Sequence, residues 1–110
     1  MADIEMKWWD PAWGPLDEAN LRRRYPAPRF RVSSERLPPG HAAAGAMREG
    51  TCFVLSGEAH YTFKEATISI PSGAFAELPQ GSYELRAAAR EPLHSVTVFD
   101  LALLMPDAKA

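Results

Sequence analysis

The sequence has few of the features that mark secreted, membrane or nucleic-acid-binding proteins. Its single cysteine, Cys52, cannot form an internal disulfide, so stability does not depend on an oxidising compartment. No signal-peptide pattern opens the chain, and no apolar run approaches the roughly 20 residues that span a bilayer. Twelve basic against fourteen acidic residues leave a formal charge of -2, which provides no field to attract a phosphate backbone. We therefore expect a cytoplasmic protein with no membrane or nucleic acid partner.

The size and composition are those of one globular domain. The chain has 110 residues, of which 46% are hydrophobic and 24% charged. That length supports one hydrophobic core but not two, and the apolar content is sufficient for a core without disulfide bonds. A multidomain enzyme and a disordered chain are both excluded.

Residues 1–28 form a segment of distinct composition, which we interpret as an N-terminal arm. It contains four of the ten prolines. It also contains all the tryptophans of the chain, Trp8, Trp9 and Trp13. Prolines and a glycine prevent one long helix, although residues 16–25 are suited to a short one. Such large side chains need a surface to pack on, so we expect a homodimer with exchanged arms. The alternative is a monomer whose arm lies on its own domain.

From residue 29 onward the hydrophobic pattern predicts many short strands. Apolar and polar residues alternate with period two, and Gly/Pro turns separate the segments. The predicted strands lie near residues 30–33, 51–55, 59–63, 67–70, 75–78, 83–85 and 95–101. Residues 41–47 (HAAAGAM) are alanine-rich, but glycines flank and split them, so we predict strand or loop there. The pattern indicates an all-β antiparallel sandwich or barrel.

The turn residues resemble the two sequence motifs of the cupin family. The second cupin motif is G-(x)5-P-x-G-(x)2-H-(x)3-N. Gly73, Pro79 and Gly81 fit it without insertion, whereas its histidine and asparagine positions hold Glu84 and Ala88. The resemblance implies a cupin-like antiparallel jelly-roll barrel over residues 29–110, preceded by the arm.

The first cupin motif, G-(x)5-H-x-H-(x)3,4-E-(x)6-G, is matched only at its flanks. Counting forward from Gly40 or backward from Gly57 gives two registers, because the segment is about two residues short. Neither register restores a ligand at the histidine and glutamate positions, which fall on Ala44, Ala46, Arg48 and Gly50. Cupins with complete motifs commonly bind a transition metal through three histidines and a glutamate. With one acid remaining of the four ligands, we expect neither a metal nor another cofactor.

The histidines do not suggest a replacement metal site. His41, His60 and His94 lie in separate segments without H-x-H spacing. We expect three separate surface or loop histidines.

Two orientations compete for Glu84. The cupin resemblance points it into the barrel, where it would be coupled to Arg86 two residues later. The ordinary burial rule instead sends Tyr83 and Leu85 to the core and leaves both charged residues in solvent. On the strength of the resemblance we predict the inward orientation.

The sequence therefore suggests a metal-free barrel that binds an unidentified small molecule. The candidate ligand-binding residues are Glu84, Arg86, Cys52, Arg48 and His41. Cys52 is best explained as a small hydrophobe lining the cavity, and Arg48 as an anion contact or a solvated partner of Glu49. A metal-independent isomerase, epimerase or lyase acting on a polar or sugar-like substrate, with Glu84 as general base, is the alternative. A structural or regulatory subunit with a filled barrel is the third possibility, so enzymatic activity remains open.

Overall fold

The computed structural model describes residues 4–104, and these fold mainly as antiparallel strands. A 3-10 turn at Pro11–Trp13 lies between the first strand and the first helix. The strands are β1 (Met6–Trp8), β2 (Phe30–Leu37), β3 (Ala42–Met47), β4 (Gly50–Ser56), β5 (Glu58–Phe63), β6 (Thr67–Pro71), β7 (Ala74–Leu78), β8 (Gly81–Ala87) and β9 (Leu93–Asp100). The helices are α1 (Glu18–Arg24) and α2 (Leu101–Leu104). The predicted all-β class is confirmed.

The strands form two sheets that pack face to face. One sheet has the order β1-β7-β4-β9-β2 and the other β3-β8-β5-β6, and every described pairing is antiparallel. The alanine-rich segment of residues 41–47 supplies edge strand β3, which pairs with β8 along its whole length. Pairing with a distant strand decides its structure, because its alanines favour no strand by themselves.

The main hydrophobic core lies between the two sheets. Both sheets contribute buried residues to it, including Val54 and Leu93 from one and Tyr61, Ile70 and Leu85 from the other. Along β4, Cys52 and Val54 face this core, whereas Phe53 faces the other side and is also buried. Burial on both faces explains why residues 51–55 form a continuous apolar run rather than an alternating one.

A second core lies between the outer face of the five-stranded sheet and the arm. Leu21 of α1 is fully buried there with Phe53, Val96 and Val98, and Trp9 packs against this cluster. The arm also extends the sheet, because β1 pairs with β7. Within one chain, the arm thus lies on its own domain.

Helix α1 begins and ends as its sequence requires. Asp17 is the N-cap and accepts a hydrogen bond from the backbone N–H of Asn20 at 2.8 Å. Glu18 and Arg22 form an ion pair one turn apart at 2.8 Å. The three arginines at residues 22–24 are exposed to solvent.

Two motif glycines have the conformation expected of them. Gly73 has φ 89° and Gly81 has φ 145°, in the region where residues with a Cβ are strained. Each lies in or beside the turn that precedes a strand, β7 and β8 respectively. Within residues 4–104, no helix is long and apolar enough to cross a membrane.

Candidate binding cleft

The five-stranded sheet carries a row of polar residues on its inner face. Thr97 of β9 lies opposite Ser33 of β2 and opposite Cys52 of β4, while Glu35 lies opposite Ser95. Residues paired across strands share a face of the sheet. These side chains therefore form a polar patch on a surface otherwise occupied by the main core.

Two tyrosines of the other sheet face this patch. The Tyr61 hydroxyl lies 3.7 Å from Cys52 Sγ, and the Tyr61 and Tyr83 ring centroids are 5.6 Å apart. A small cavity of about 70 Å³ lies between the sheets here, and we call it the inner cavity. Its lining residues are Ser33, Glu35, Met47, Tyr61, Tyr83, Thr97 and Phe99.

A larger depression of about 420 Å³ adjoins the inner cavity, and we call it the outer cleft. It shares Ser33, Met47, Tyr83 and Phe99 with the inner cavity. The remaining lining residues are Arg31, Ala46, Arg48 and Leu101. The outer cleft thus adds two guanidinium groups to the hydroxyl and carboxyl groups of the inner cavity.

The local environment keeps the phenols and the thiol protonated. Burial raises the pKa of Tyr61 far above its ordinary value, and the neighbouring Cys52 contributes. The pKa of Tyr83 is also raised, first by burial and then by the negative charge of Glu35. Burial likewise raises the pKa of Cys52, which makes the thiol a poor nucleophile at neutral pH. The site thus offers phenolic donors opposite one carboxylate.

The predicted inward orientation of Glu84 and Arg86 is wrong. Their side chains are 53% and 54% exposed on the outer face of the four-stranded sheet. The expected coupling is present there, but as a loose ion pair of 4.0 Å. Tyr83 and Leu85 face inward instead, because two apolar side chains gain more from burial than two charged ones, whose desolvation is costly.

The remaining three predicted residues lie in three different places. Arg48 lines the outer cleft, and Cys52 is fully buried beside the inner cavity, touching Tyr61. His41 is exposed just before β3, where its ring contacts the carbonyl oxygen of Pro39 at 3.2 Å. It lines neither the inner cavity nor the outer cleft.

The positions aligned with cupin metal ligands do not suit a metal here. Ala44 is exposed on edge strand β3 directly opposite the outward Glu84, and Ala46 follows it on the same face. Gly50 faces the interior, but a Cβ added there would meet the Phe99 ring at 2.9 Å, so an aromatic ring fills the space a ligand side chain would need. No cluster of three or more His, Cys, Asp or Glu side chains suited to a metal occurs within residues 4–104.

The histidines are held on opposite outer surfaces. His60 contacts Ser69 Oγ at 2.7 Å on the exposed face of the four-stranded sheet. His94 lies under α1 on the other sheet, 3.1 Å from Ser34 Oγ and 3.8 Å from Glu18. They do not converge.

The inner cavity is lined by residues that were not predicted as site residues, among them Glu35, Tyr61, Tyr83 and Thr97. In β2, Phe30 and Val32 indicate one buried face, and alternation places Ser33 and Glu35 on the opposite face. Both faces of this strand are in fact used, because the arm covers one and the second sheet faces the other. For Tyr83 the sequence did contain a signal. Apolar Tyr83 and Leu85 alternate with charged residues, and this alternation predicts that Tyr83 faces the interior.

Comparisons with known proteins agree on the fold. No protein-family model matches the chain, and no curated protein is significantly similar in sequence. A cupin 2 domain-containing protein from Halorhodospira halophila superposes with a TM-score of 0.62 at 14% identity, covering 90% of this chain and 76% of that one. A cupin protein from Bacteroides fragilis superposes with a TM-score of 0.56 at 22% identity, covering 71% and 70% respectively.

An enzyme is also among the similar structures. Salicylate 1,2-dioxygenase from Pseudoaminobacter salicylatoxidans superposes with a TM-score of 0.57 at 16% identity, and the match covers 72% of this chain but 22% of the dioxygenase. At such identities the similarity concerns the fold and not the chemistry. Two facing antiparallel sheets, cupin-type turns and these superpositions establish that this chain has the cupin fold.

Proposed function

We propose that this protein is a metal-free small-molecule-binding cupin whose ligand occupies the inner cavity and the outer cleft. The observation that carries the proposal is the polar patch of Glu35, Ser33 and Thr97, which faces Tyr83 beside the otherwise apolar main core. Glu35 and Thr97 are half-buried and Ser33 is exposed, so this patch remains accessible to a molecule that enters from solvent. A ligand with polar groups would satisfy it.

The inner cavity and the outer cleft differ in size, so they accept different parts of the ligand. The inner cavity of about 70 Å³ is well below the roughly 300–1,000 Å³ of small-molecule sites, so it accepts one functional group and not a whole metabolite. The outer cleft of about 420 Å³ is within the range of small-molecule sites. The body of the ligand therefore belongs in the outer cleft, with one polar group reaching Glu35 and Tyr83.

A fragment screen by heteronuclear NMR tests the proposal. We expect bound polar fragments to shift the amide signals of Ser33, Met47 and Tyr83, and Glu35→Gln and Thr97→Val to weaken binding. Glu84→Gln is the matched control, because it removes the same charge from the outer face of the sheet. A screen in which no fragment binds, or in which only Glu84→Gln reduces binding, would contradict the proposal. The former outcome would favour a structural subunit.

A metal-independent isomerase, epimerase or lyase is a second candidate, favoured by the pairing of Glu35 with Tyr83. The negative charge of Glu35 helps to keep Tyr83 protonated, so one residue accepts a proton while the other donates one. A ligand found by the screen should then exchange a C–H proton in deuterated water with the wild type but not with Glu35→Gln or Tyr83→Phe. Binding without exchange would contradict this second candidate and leave ligand binding as the function.

A further inference from the structure

Two unpaired cations lie at the outer cleft. Arg31 and Arg48 both line it, and within residues 4–104 neither guanidinium forms an ion pair or a side-chain hydrogen bond. The neighbouring Arg29, by contrast, is engaged by Asp100 at 2.9 Å. Two arginines free to bind the same molecule favour an anion, since guanidinium and carboxylate groups match in charge and in hydrogen-bonding geometry.

The inner cavity has the opposite preference. Its one charged side chain, Glu35, accepts hydrogen bonds and repels an anion. The group that reaches Glu35 must therefore donate a hydrogen bond, as a hydroxyl or an ammonium group does. Ser33 lines both spaces, so the two ends of the site adjoin.

We propose that the ligand is a small carboxylate carrying a hydroxyl or amino group, with the carboxylate bound by Arg31 and Arg48 and the donor group by Glu35. This inference rests on the proposed binding function and specifies its ligand class. A neutral sugar would use Glu35 but leave both arginines without a partner, and a simple fatty carboxylate would do the reverse.

Three matched probes separate the two ends of the site. Lactate has the carboxylate and the hydroxyl, propionate lacks the hydroxyl, and propane-1,2-diol lacks the charge. In NMR titrations of the full chain we expect lactate to bind at least about tenfold more tightly than either relative, since each loses one charge-assisted hydrogen-bonding group. Alanine, with an amino group in place of the hydroxyl, should bind comparably to lactate.

Charge-removing variants locate the carboxylate. Arg31→Gln and Arg48→Gln should each weaken lactate about tenfold and leave the diol unchanged, whereas Arg90→Gln, in an exposed turn outside the cleft, should weaken neither. Glu35→Gln should reduce the advantage of lactate over propionate.

Some results would contradict the proposed ligand class but not the proposed binding function. Diol binding as tight as that of lactate, or lactate binding unaffected by Arg31→Gln and Arg48→Gln, would show that the cleft does not select a carboxylate. Equal binding of lactate and propionate would remove the donor requirement. If no fragment of any class shifts the cleft signals, the proposed function itself fails.

Discussion

Gly50 stands at a motif position where a cupin with complete motifs has a metal ligand. Here the space for such a ligand is filled. Gly50 faces the interior, and Phe99 lies where its side chain would be, with the Val98 carbonyl oxygen at 3.1 Å from an added Cβ. The loss of a ligand and the filling of its space thus occur at the same position. Restoring a glutamate there would require Phe99 to move.

The first prediction concerns this contact. Gly50→Ala should destabilise the protein by about 1–3 kcal/mol, because the added methyl group overlaps a ring and a backbone carbonyl in a packed core. Gly45→Ala is the control, since its Cβ would meet only ordinary contacts with Tyr83 at 3.4 Å and beyond. Urea unfolding followed by circular dichroism measures both. Equal stabilities for the two variants would contradict the packing argument, and Phe99→Leu should partly rescue Gly50→Ala.

At the scale of elements, the arm is attached to the sheet mainly through aromatic contacts. Trp9 packs edge-on against Phe53, with ring centroids 5.8 Å apart, and its indole N–H donates to the Gly14 carbonyl oxygen at 2.9 Å. Trp8, the adjacent residue, is 61% exposed. Neighbouring tryptophans in one strand-to-turn segment therefore have different structural roles.

We predict that Trp9→Ala lowers the free energy of unfolding by about 2–4 kcal/mol, since it removes a partly buried indole and leaves space above Phe53. Trp8→Ala should change it by no more than about 0.5 kcal/mol. Urea titrations of both variants provide the comparison. A larger loss for Trp8→Ala than for Trp9→Ala would mean that the arm packs differently.

His94, which lies beneath α1, makes the stability of the fold depend on pH. Burial lowers the pKa of His94, and the positive charge of Arg36 lowers it further, while Glu18 of α1 opposes both. The unfolded chain therefore binds a proton to this imidazole at a higher pH than the folded one does. The stability contributed by neutral His94 is complete above its unfolded pKa of about 6.5 and is lost as the pH falls below it.

The resulting prediction is a fall in unfolding free energy between about pH 7 and 5.5, which His94→Gln should reduce. Arg36→Gln should also reduce the slope, because it removes a charge that disfavours the imidazolium, whereas Glu18→Gln should steepen it. Urea titrations across this pH range measure the slopes. A slope unchanged by His94→Gln would assign the pH dependence to other groups.

At the scale of the whole molecule, the fold of one chain already buries part of the arm's apolar surface. Leu21 is fully buried and Trp9 is covered, so arm exchange is not needed to bury them. Trp8 and Trp13 remain the exposed large hydrophobic residues of the described chain, and Trp8 lies on β1 at the edge of its sheet. An exposed aromatic on a sheet edge is a surface suited to association.

The homodimer stays a prediction, now with Trp8 rather than an exchanged arm as its anchor. Sedimentation velocity at about 0.1 mM, well above the micromolar constants of stable association, should give the mass of two chains. Trp8→Ala should shift the equilibrium towards the monomer, and Trp13→Ala, the matched substitution in the 3-10 turn, should shift it less. A wild-type monomer at that concentration would contradict the prediction.

Local sequence patterns determined most of the strands, the turns and the separate character of the arm, but not strand β3, whose pairing with β8 decides its structure. Period-two alternation, glycines at positive φ and a capped short helix depend on neighbouring residues, so residues 30–37, Gly73 and α1 could be anticipated in type if not in length. Which face of a strand is buried depends instead on what packs against it from far along the chain. Tertiary structure alone therefore placed the arm over Phe53 and brought Glu35 from β2 opposite Tyr83 from β8. It also decided between the two orientations that the sequence left open for Glu84. The candidate site exists only where these distant strands meet.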